Sequence, residues 1–140
     1  MKIDELILFC KEALNASFGK QLSERIRYIV EYETSDPEGI LISYLSLRNL
    51  VAFIQQEPRL KFPDIVLSGS GNFVAEWRKS SSRHFSAEFL PSGDVSFVVF
   101  KPNPLEPERP IRLCEICPWQ NLIEEITPHH VLSWAIEDNE

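Results

Sequence analysis

A chain of 140 residues, 44% of them hydrophobic and 25% charged, has the size and composition of one globular domain, which excludes a fibrous or wholly disordered protein. The formal net charge of −7 lies mostly in the C-terminal part, where residues 101–140 hold 3 bases against 8 acids. No Lys/Arg cluster is longer than Arg78-Lys79, so the charges argue against a nucleic-acid-binding protein, although a local basic patch could exist.

The N-terminal part, residues 1–58, is mainly helical in its periodicity. Apolar residues recur at helical spacing between positions 3 and 14, after Asp4 as a cap and before Gly19, which closes the segment. Residues 22–30 continue this rhythm and we favour a second helix, although their alternation would also suit a strand. After a loop over residues 34–39, a third helix begins at Ser46 as N-cap, stops at Pro58 and packs on a sheet.

From residue 63 to residue 116 the hydrophobic period changes to 2, which predicts an antiparallel β-meander of about four to five strands. Residues 65–67 form a short strand that ends in a turn at residues 68–71. The next two segments form a hairpin in which Trp77 lies opposite Phe85 on the core face and Lys79 lies opposite Arg83.

A turn at residues 91–94 joins this hairpin to the next strand. We expect Leu90 to pair with Val95, which places Val98 and Phe100 on the core face. The Pro-rich residues 102–110 form a long connection, and residues 111–116 form the last strand. Pro118 then opens a helix over residues 119–126, and residues 131–135 dock, so that only Glu137 onward looks free.

These elements predict one α+β domain over residues 1–140. It consists of N-terminal helices, the sheet of residues 63–116, and a C-terminal helix with a docked tail over residues 118–136. No apolar run approaches the roughly 20 residues of a membrane span, and residues 1–6 lack the features of a secretory signal. We therefore expect a cytoplasmic protein that makes no contact with a membrane, with three reduced cysteines.

Cys114, Cys117, His129 and His130 are the sharpest candidates for chemistry. Two cysteines and two histidines could ligate zinc, and a Cys-x-x-Cys before a helix could be a redox dithiol. However, the Cys-x-x-Cys straddles the end of an apolar strand, and adjacent histidines rarely reach one metal. We therefore favour structural thiols, with no metal and no cofactor.

The predicted second face of the sheet carries Glu76, Arg78 and Glu88. Together with His84, which the register puts opposite Arg78, these residues could serve acid/base catalysis, but no motif for a nucleophile or a phosphate accompanies them, so we predict no catalytic residue. Phe97 and Val99 give the same face an apolar half, and such a patch is typical of an association site. We predict that these five residues bind a partner, unless a helix covers the face.

Three segments carry a resemblance to a known group of proteins. They are residues 70–78 (SGNFVAEWR), residues 84–95 (HFSAEFLPSGDV) and residues 131–135 (VLSWA). The chain resembles, over about residues 46–135, a group of small, largely uncharacterised bacterial proteins, some of which are encoded beside toxin genes. The resemblance implies a protein-binding or antitoxin-like role and assigns no catalytic residue.

Two hypotheses for the function remain. The first is a non-enzymatic module that binds and inhibits another protein, such as the product of a neighbouring gene, aided by the acidic C-terminal third. The alternative is a small zinc- or thiol-dependent enzyme that uses Cys114, Cys117, His129 and His130. The sequence leaves the oligomeric state open.

Overall fold

The computed structural model describes residues 2–14 and 16–135, which form three helices, a five-stranded antiparallel sheet and a short helical end. The helices are α1 (Lys2–Ala13), α2 (Ala16–Ser35) and α3 (Tyr44–Gln56). The strands pair in chain order and are β1 (Asp64–Leu67), β2 (Phe73–Ser80), β3 (Arg83–Phe89), β4 (Asp94–Lys101) and β5 (Ile111–Pro118). Beyond them lie a 3₁₀ turn (Trp119–Asn121), α4 (Leu122–Ile126), a second 3₁₀ turn (Thr127–His129) and α5 (Leu132–Ala135). The predicted α+β class is confirmed.

The first two helices are confirmed, but their predicted ends are wrong. α1 begins at Lys2, so Asp4 lies in its first turn and does not cap it. Gly19 lies inside α2, where a Cβ would stand 2.3 Å from the carbonyl oxygen of Cys10, so glycine allows α1 and α2 to pack closely. Residues 22–30 are helical, as we favoured. None of the helices within residues 2–14 and 16–135 is long and apolar enough to cross a membrane.

The predicted N-cap of α3 is also wrong. Ser43 is the cap, because its Oγ accepts a hydrogen bond from the backbone N–H of Ser46 at 3.1 Å. Ser46 is buried and faces the sheet instead, where its hydroxyl accepts from the backbone N–H of Phe73 at 2.8 Å and donates to the carbonyl of Phe89. This one side chain therefore joins α3 to both β2 and β3.

The hairpin of β2 and β3 has the predicted register over most of its length. Trp77 lies opposite Phe85, as expected. The prediction that Lys79 faces Arg83 is wrong, because an irregularity in the ladder brings Ser80 opposite Arg83. The loop therefore consists of Ser81 and Ser82, one residue fewer than the predicted pairing of Lys79 with Arg83 implies.

The register of β3 and β4 differs from the prediction by one residue. Val95 pairs with Phe89 rather than with Leu90. The connection is a three-residue turn: Gly93 N–H donates to the carbonyl of Leu90, and Leu90 N–H donates to the carbonyl of Asp94. Gly93 has φ of 99°, the left-handed conformation that follows a type I turn in such hairpins. A prediction based on a four-residue turn therefore paired the strands incorrectly.

A shift of one residue moves every side chain of a strand to the other face. Phe97 and Val99 are 1% and 0% exposed in the core, so their predicted place beside Glu76 and Arg78 is wrong. Val98 and Phe100, expected in the core, lie on the opposite face. Hydrophobicity could not reveal the error, because all residues from Val95 to Phe100 except Ser96 are apolar.

The helices pack on one face of the sheet. The rings of Phe53 in α3 and Phe89 in β3 lie 5.5 Å apart, and Trp77 donates its indole N–H to the carbonyl of Lys61 at 2.8 Å. The C-terminal segment docks as predicted, since Trp134 is buried, whereas Glu137 onward lies outside the described residues. The largest fully buried side chains of the core are Phe73, Phe85, Phe89, Phe97, Leu22, Ile26, Leu47, Leu50, Leu60, Ile65, Leu122 and Ile126.

Candidate functional site

The sheet face that points away from the helices is here called the outer face. Each of its strand side chains is half-buried or exposed, so no helix of residues 2–14 and 16–135 covers it. Of the two alternatives, an open face and a face covered by a helix, the described residues therefore show the open one. The outer face consists of Asp64, Val66, Val74, Glu76, Arg78, His84, Ser86, Glu88, Ser96, Val98, Phe100, Arg112, Cys114 and Ile116.

Three of the five predicted binding residues, Glu76, Arg78 and Glu88, lie on the outer face. Phe97 and Val99 do not, because both belong to the core. The prediction of one polar and one apolar half nevertheless fits the outer face, since β4 and β5 supply other apolar side chains there.

Four side chains lie next to one another across β2, β3, β4 and β5. The pairs are Arg78 with His84, His84 with Phe100, and Phe100 with Arg112, and together they form what we call the arginine row. The rings of His84 and Phe100 are stacked, with centroids 5.9 Å apart and planes 7° from parallel. The guanidinium carbon of Arg112 lies 6.0 Å from the centroid of Phe100. Stacking on an aromatic ring orients an arginine while leaving its N–H groups free to bind an anion.

Two of the three carboxylates of the outer face are already engaged, and the third, Asp64, lies on the edge strand β1 opposite Glu76. Glu76 lies 3.1 Å from Nε2 of His84, and Glu88 accepts a hydrogen bond of 3.0 Å from the side-chain amide of Asn72. By contrast, neither Arg78 nor Arg112 forms an ion pair with any residue in the described part of the chain. Two guanidinium groups are therefore available on an exposed surface.

Further bases lie at the same end of the sheet. Arg83 begins β3 opposite Ser80, while Lys101 ends β4 opposite Ile111, and Lys79 directly follows Arg78. However, Arg83 and Lys101 each stand one position from an outer-face residue of their strand, His84 and Phe100, so their side chains point to the helix side of the sheet. The positive charge that the outer face offers to an anionic group is therefore carried by Arg78 and Arg112.

Apolar side chains of β4 and β5 extend the arginine row toward the other end of the sheet. Val98 lies opposite Cys114, and Ile116 lies opposite Ser96. Ile116 is 65% exposed, a large value for an isoleucine in a strand. The outer face thus combines exposed apolar area with unpaired arginines, a combination typical of protein interfaces.

The cysteines and histidines of the alternative hypothesis are not brought together. Cys114 lies exposed on the outer face and Cys117 is buried on the core face, because residues three apart in a strand point to opposite sides. Nδ1 of His129 lies 3.2 Å from Nζ of Lys101. No group of three or more His, Cys, Asp or Glu side chains suited to a metal ion occurs in residues 2–14 and 16–135.

Burial also affects the reactivity of two thiols. It raises the pKa of Cys10 to about 12 and that of Cys117 to about 11, and the negative charges of Glu125, Glu115 and Asp94 add to the effect at Cys117. Both thiols are therefore protonated at neutral pH. A nucleophilic cysteine needs the opposite shift.

In comparisons with known proteins, no family model, no curated protein and no solved structure matches this chain.

Sequence reasoning missed two members of the arginine row. Phe100 was predicted in the core, and Arg112 was not among the predicted binding residues. The signal that could have found them is Gly93, because a glycine two residues after Pro91 also suits a three-residue hairpin turn. With that turn, the alternation of β4 and β5 places both residues on the same face as Arg78.

Proposed function

We propose that this chain is a non-enzymatic protein-binding module whose outer face binds an acidic surface of a partner protein. The observation that carries the proposal is the arginine row on an uncovered sheet face, next to exposed apolar side chains. Arginine and aromatic residues supply most of the binding energy at many protein interfaces. Arg112 and Phe100 are the expected hot spots, and Arg78 flanks them.

The charges support an acidic partner. Arg78 and Arg112 have no ion pair within the described part of the chain, and both lie at the same end of the outer face. A partner that presented Asp and Glu side chains would pair with these bases and would be attracted over a distance at low ionic strength. The rest of this acidic chain would repel the same partner, which would help to fix the orientation of the complex.

The resemblance to bacterial proteins encoded beside toxin genes suggests what binding would accomplish. A module that covers the acidic surface of a toxin would act as an antitoxin-like inhibitor in the cytoplasm. The partner would then be the product of a neighbouring gene. This part of the proposal rests on the resemblance alone.

Affinity capture from the native cell tests the proposal. The tagged chain is compared with a double variant, Arg78→Glu with Arg112→Glu, and with a matched control, Arg27→Glu with Arg48→Glu. Both control residues are exposed on helices, and both variants change the net charge by the same amount. The neighbouring gene product is co-expressed in each case.

We expect the parent and the control to retain the same acidic protein and the outer-face variant to lose it by about a hundredfold, since each reversed hot spot weakens binding about tenfold or more. Binding should also weaken as salt is raised. Equal retention by both variants would show that the partner binds elsewhere. Capture of no partner, even with the neighbouring gene product co-expressed, would contradict the proposed function.

A further inference from the structure

A second surface, away from the outer face, has the features of a peptide-binding groove. It lies between α2 and the edge strand β1 and has a volume of about 240 Å³. The helix contributes a stripe at positions i, i+3, i+4 and i+7, which are Arg25, Tyr28, Ile29 and Tyr32. Leu67 lines the side formed by the strand.

Two tyrosines stand exposed along this groove. Tyr28 is 59% exposed and Tyr32 is 61% exposed, and their rings stack with centroids 6.3 Å apart. Tyrosine supplies a large, rigid contact area at a small entropic cost, and it is enriched at protein interfaces. The pair therefore offers a ready platform for an apolar side chain.

Arg25 is held in place at one end of the groove. Its Nε donates to the carbonyl oxygen of Ile65 at 2.9 Å, and its guanidinium carbon lies 5.5 Å from the centroid of the Tyr28 ring. No carboxylate pairs with it within the described residues. An arginine fixed through Nε presents its terminal N–H groups as a fork that suits a carboxylate.

The groove also exposes backbone groups of β1. The carbonyl of Ile65 points away from β2, toward Arg25, whereas Ser68 N–H bonds to Asn72 within the hairpin. In an antiparallel ladder, alternate residues direct both N–H and C=O to the same side, so Leu67 also points both groups outward. Neither group has a hydrogen-bond partner in the part of the chain that the structure describes.

We propose that this groove binds an extended acidic segment of another polypeptide. A carboxylate of the segment pairs with Arg25, its backbone hydrogen-bonds to Leu67, and an apolar side chain packs on Tyr28 and Tyr32. This arrangement is a short form of strand addition at a sheet edge. Glu33 also lines the groove, but it lies eight residues from Arg25, about 12 Å along the helix, and its carboxylate accepts from Ile40 N–H, so it leaves the Arg25 end free for an anion.

The probe is an array of short peptides of Val, Thr and Leu that carry one Asp or Glu at each position in turn, with Lys in the same positions as a reference. We expect the purified chain to bind acidic members and not the lysine members. Arg25→Gln should weaken this binding about tenfold or more, whereas Arg27→Gln, an exposed arginine of the same helix, should not change it. Equal binding of acidic and lysine peptides would overturn the proposal.

Because Arg25→Gln also removes the bond to Ile65, Tyr32→Ala serves as a second variant. Its exposed ring contributes little to the fold, and we expect about a tenfold loss of the same peptides. Two further sets of peptides, N-methylated at the odd or at the even residues, test strand addition. If the segment adds as a strand, one of the two sets should lose binding. Retained binding by both sets, or by Tyr32→Ala, would overturn the proposal.

The double variant Arg78→Glu with Arg112→Glu separates this proposal from the proposed function. It should bind the peptides as the parent does. If it loses them, the peptides bind the outer face, and the groove proposal fails while the proposed function stands. If only Arg25→Gln and Tyr32→Ala lose peptide binding, the result supports the groove, whether or not the outer face binds a partner.

Discussion

His84 and Phe100 face each other across β3 and β4, and their rings stack 5.9 Å apart on the open side of the sheet. This contact is possible only in the register set by the three-residue turn at Gly93. It places Phe100 between His84 and Arg112, so that an aromatic ring supports an arginine that has no carboxylate partner in the described chain. One turn therefore determines which aromatic residue of β4 is core and which is surface.

Phe97→Ala should lower the free energy of unfolding by about 3 to 5 kcal/mol, as large truncations in a core do. Phe100→Ala should cost only about 1 kcal/mol, because Phe100 is half-buried. Urea unfolding of the two variants measures the difference. Equal losses, or a larger loss for Phe100→Ala, would contradict the register of β4.

Ser46→Ala should be more destabilising than Ser43→Ala. The first change leaves the buried N–H of Phe73 and the carbonyl of Phe89 without a partner, at a cost of about 2 to 3 kcal/mol. The second removes a helix cap, at a cost of about 1 kcal/mol. Thermal unfolding compares the pair, and a larger loss for Ser43→Ala would show that Ser46 does not join α3 to the sheet.

One cysteine of three should react quickly with a thiol reagent in the folded protein at neutral pH. Cys114 is exposed, whereas Cys10 and Cys117 are buried and their pKa values are raised. The variant Cys114→Ser should lose the fast reaction, and denaturant should release the two remaining thiols. Fast labelling of Cys117 in the folded chain would mean that β5 does not bury it.

Stability should fall in alkaline solution partly because of Cys10. Burial raises its pKa to about 12, so the unfolded thiol ionises from about pH 8.5 upward while the folded thiol keeps its proton. Because only the folded state keeps this proton, the free energy of unfolding decreases as pH rises toward 12, by up to about 1.4 kcal/mol per pH unit. Cys10→Ala should show a shallower decrease above pH 9 in urea titrations. Identical slopes would contradict a protected thiol.

Much of the fold could be predicted from the sequence, because both periodicities are strong. The alternation around Trp77 and Phe85 has one reasonable interpretation, and the helical stripe before residue 58 is ambiguous only at residues 22–30, whose pattern would also suit a strand. Helix ends were harder, since Gly19 and Ser46 are typical terminal residues that serve here for close packing and for a contact with the sheet. Local sequence does not distinguish these uses.

The candidate site was predicted only in part. Glu76, Arg78 and Glu88 lie where the hairpin places them, because the register around Trp77 is unambiguous. Phe97 was misplaced because a strand that is apolar at nearly every position allows either face. The grouping of Arg78 with Arg112 depends on three successive strand pairings, and an error of one residue in any of them hides it.

Site-specific photocross-linking tests the central claim, that the outer face binds a protein. A photoreactive phenylalanine replaces Ile116, which is 65% exposed on the outer face, and, as a control, Leu8, which is 54% exposed on α1. Irradiation in the native cell, with the neighbouring gene product co-expressed, should yield a discrete cross-linked protein from position 116 and none from position 8. Cross-linking from position 8 alone, or from neither position, would contradict a binding surface on the outer face.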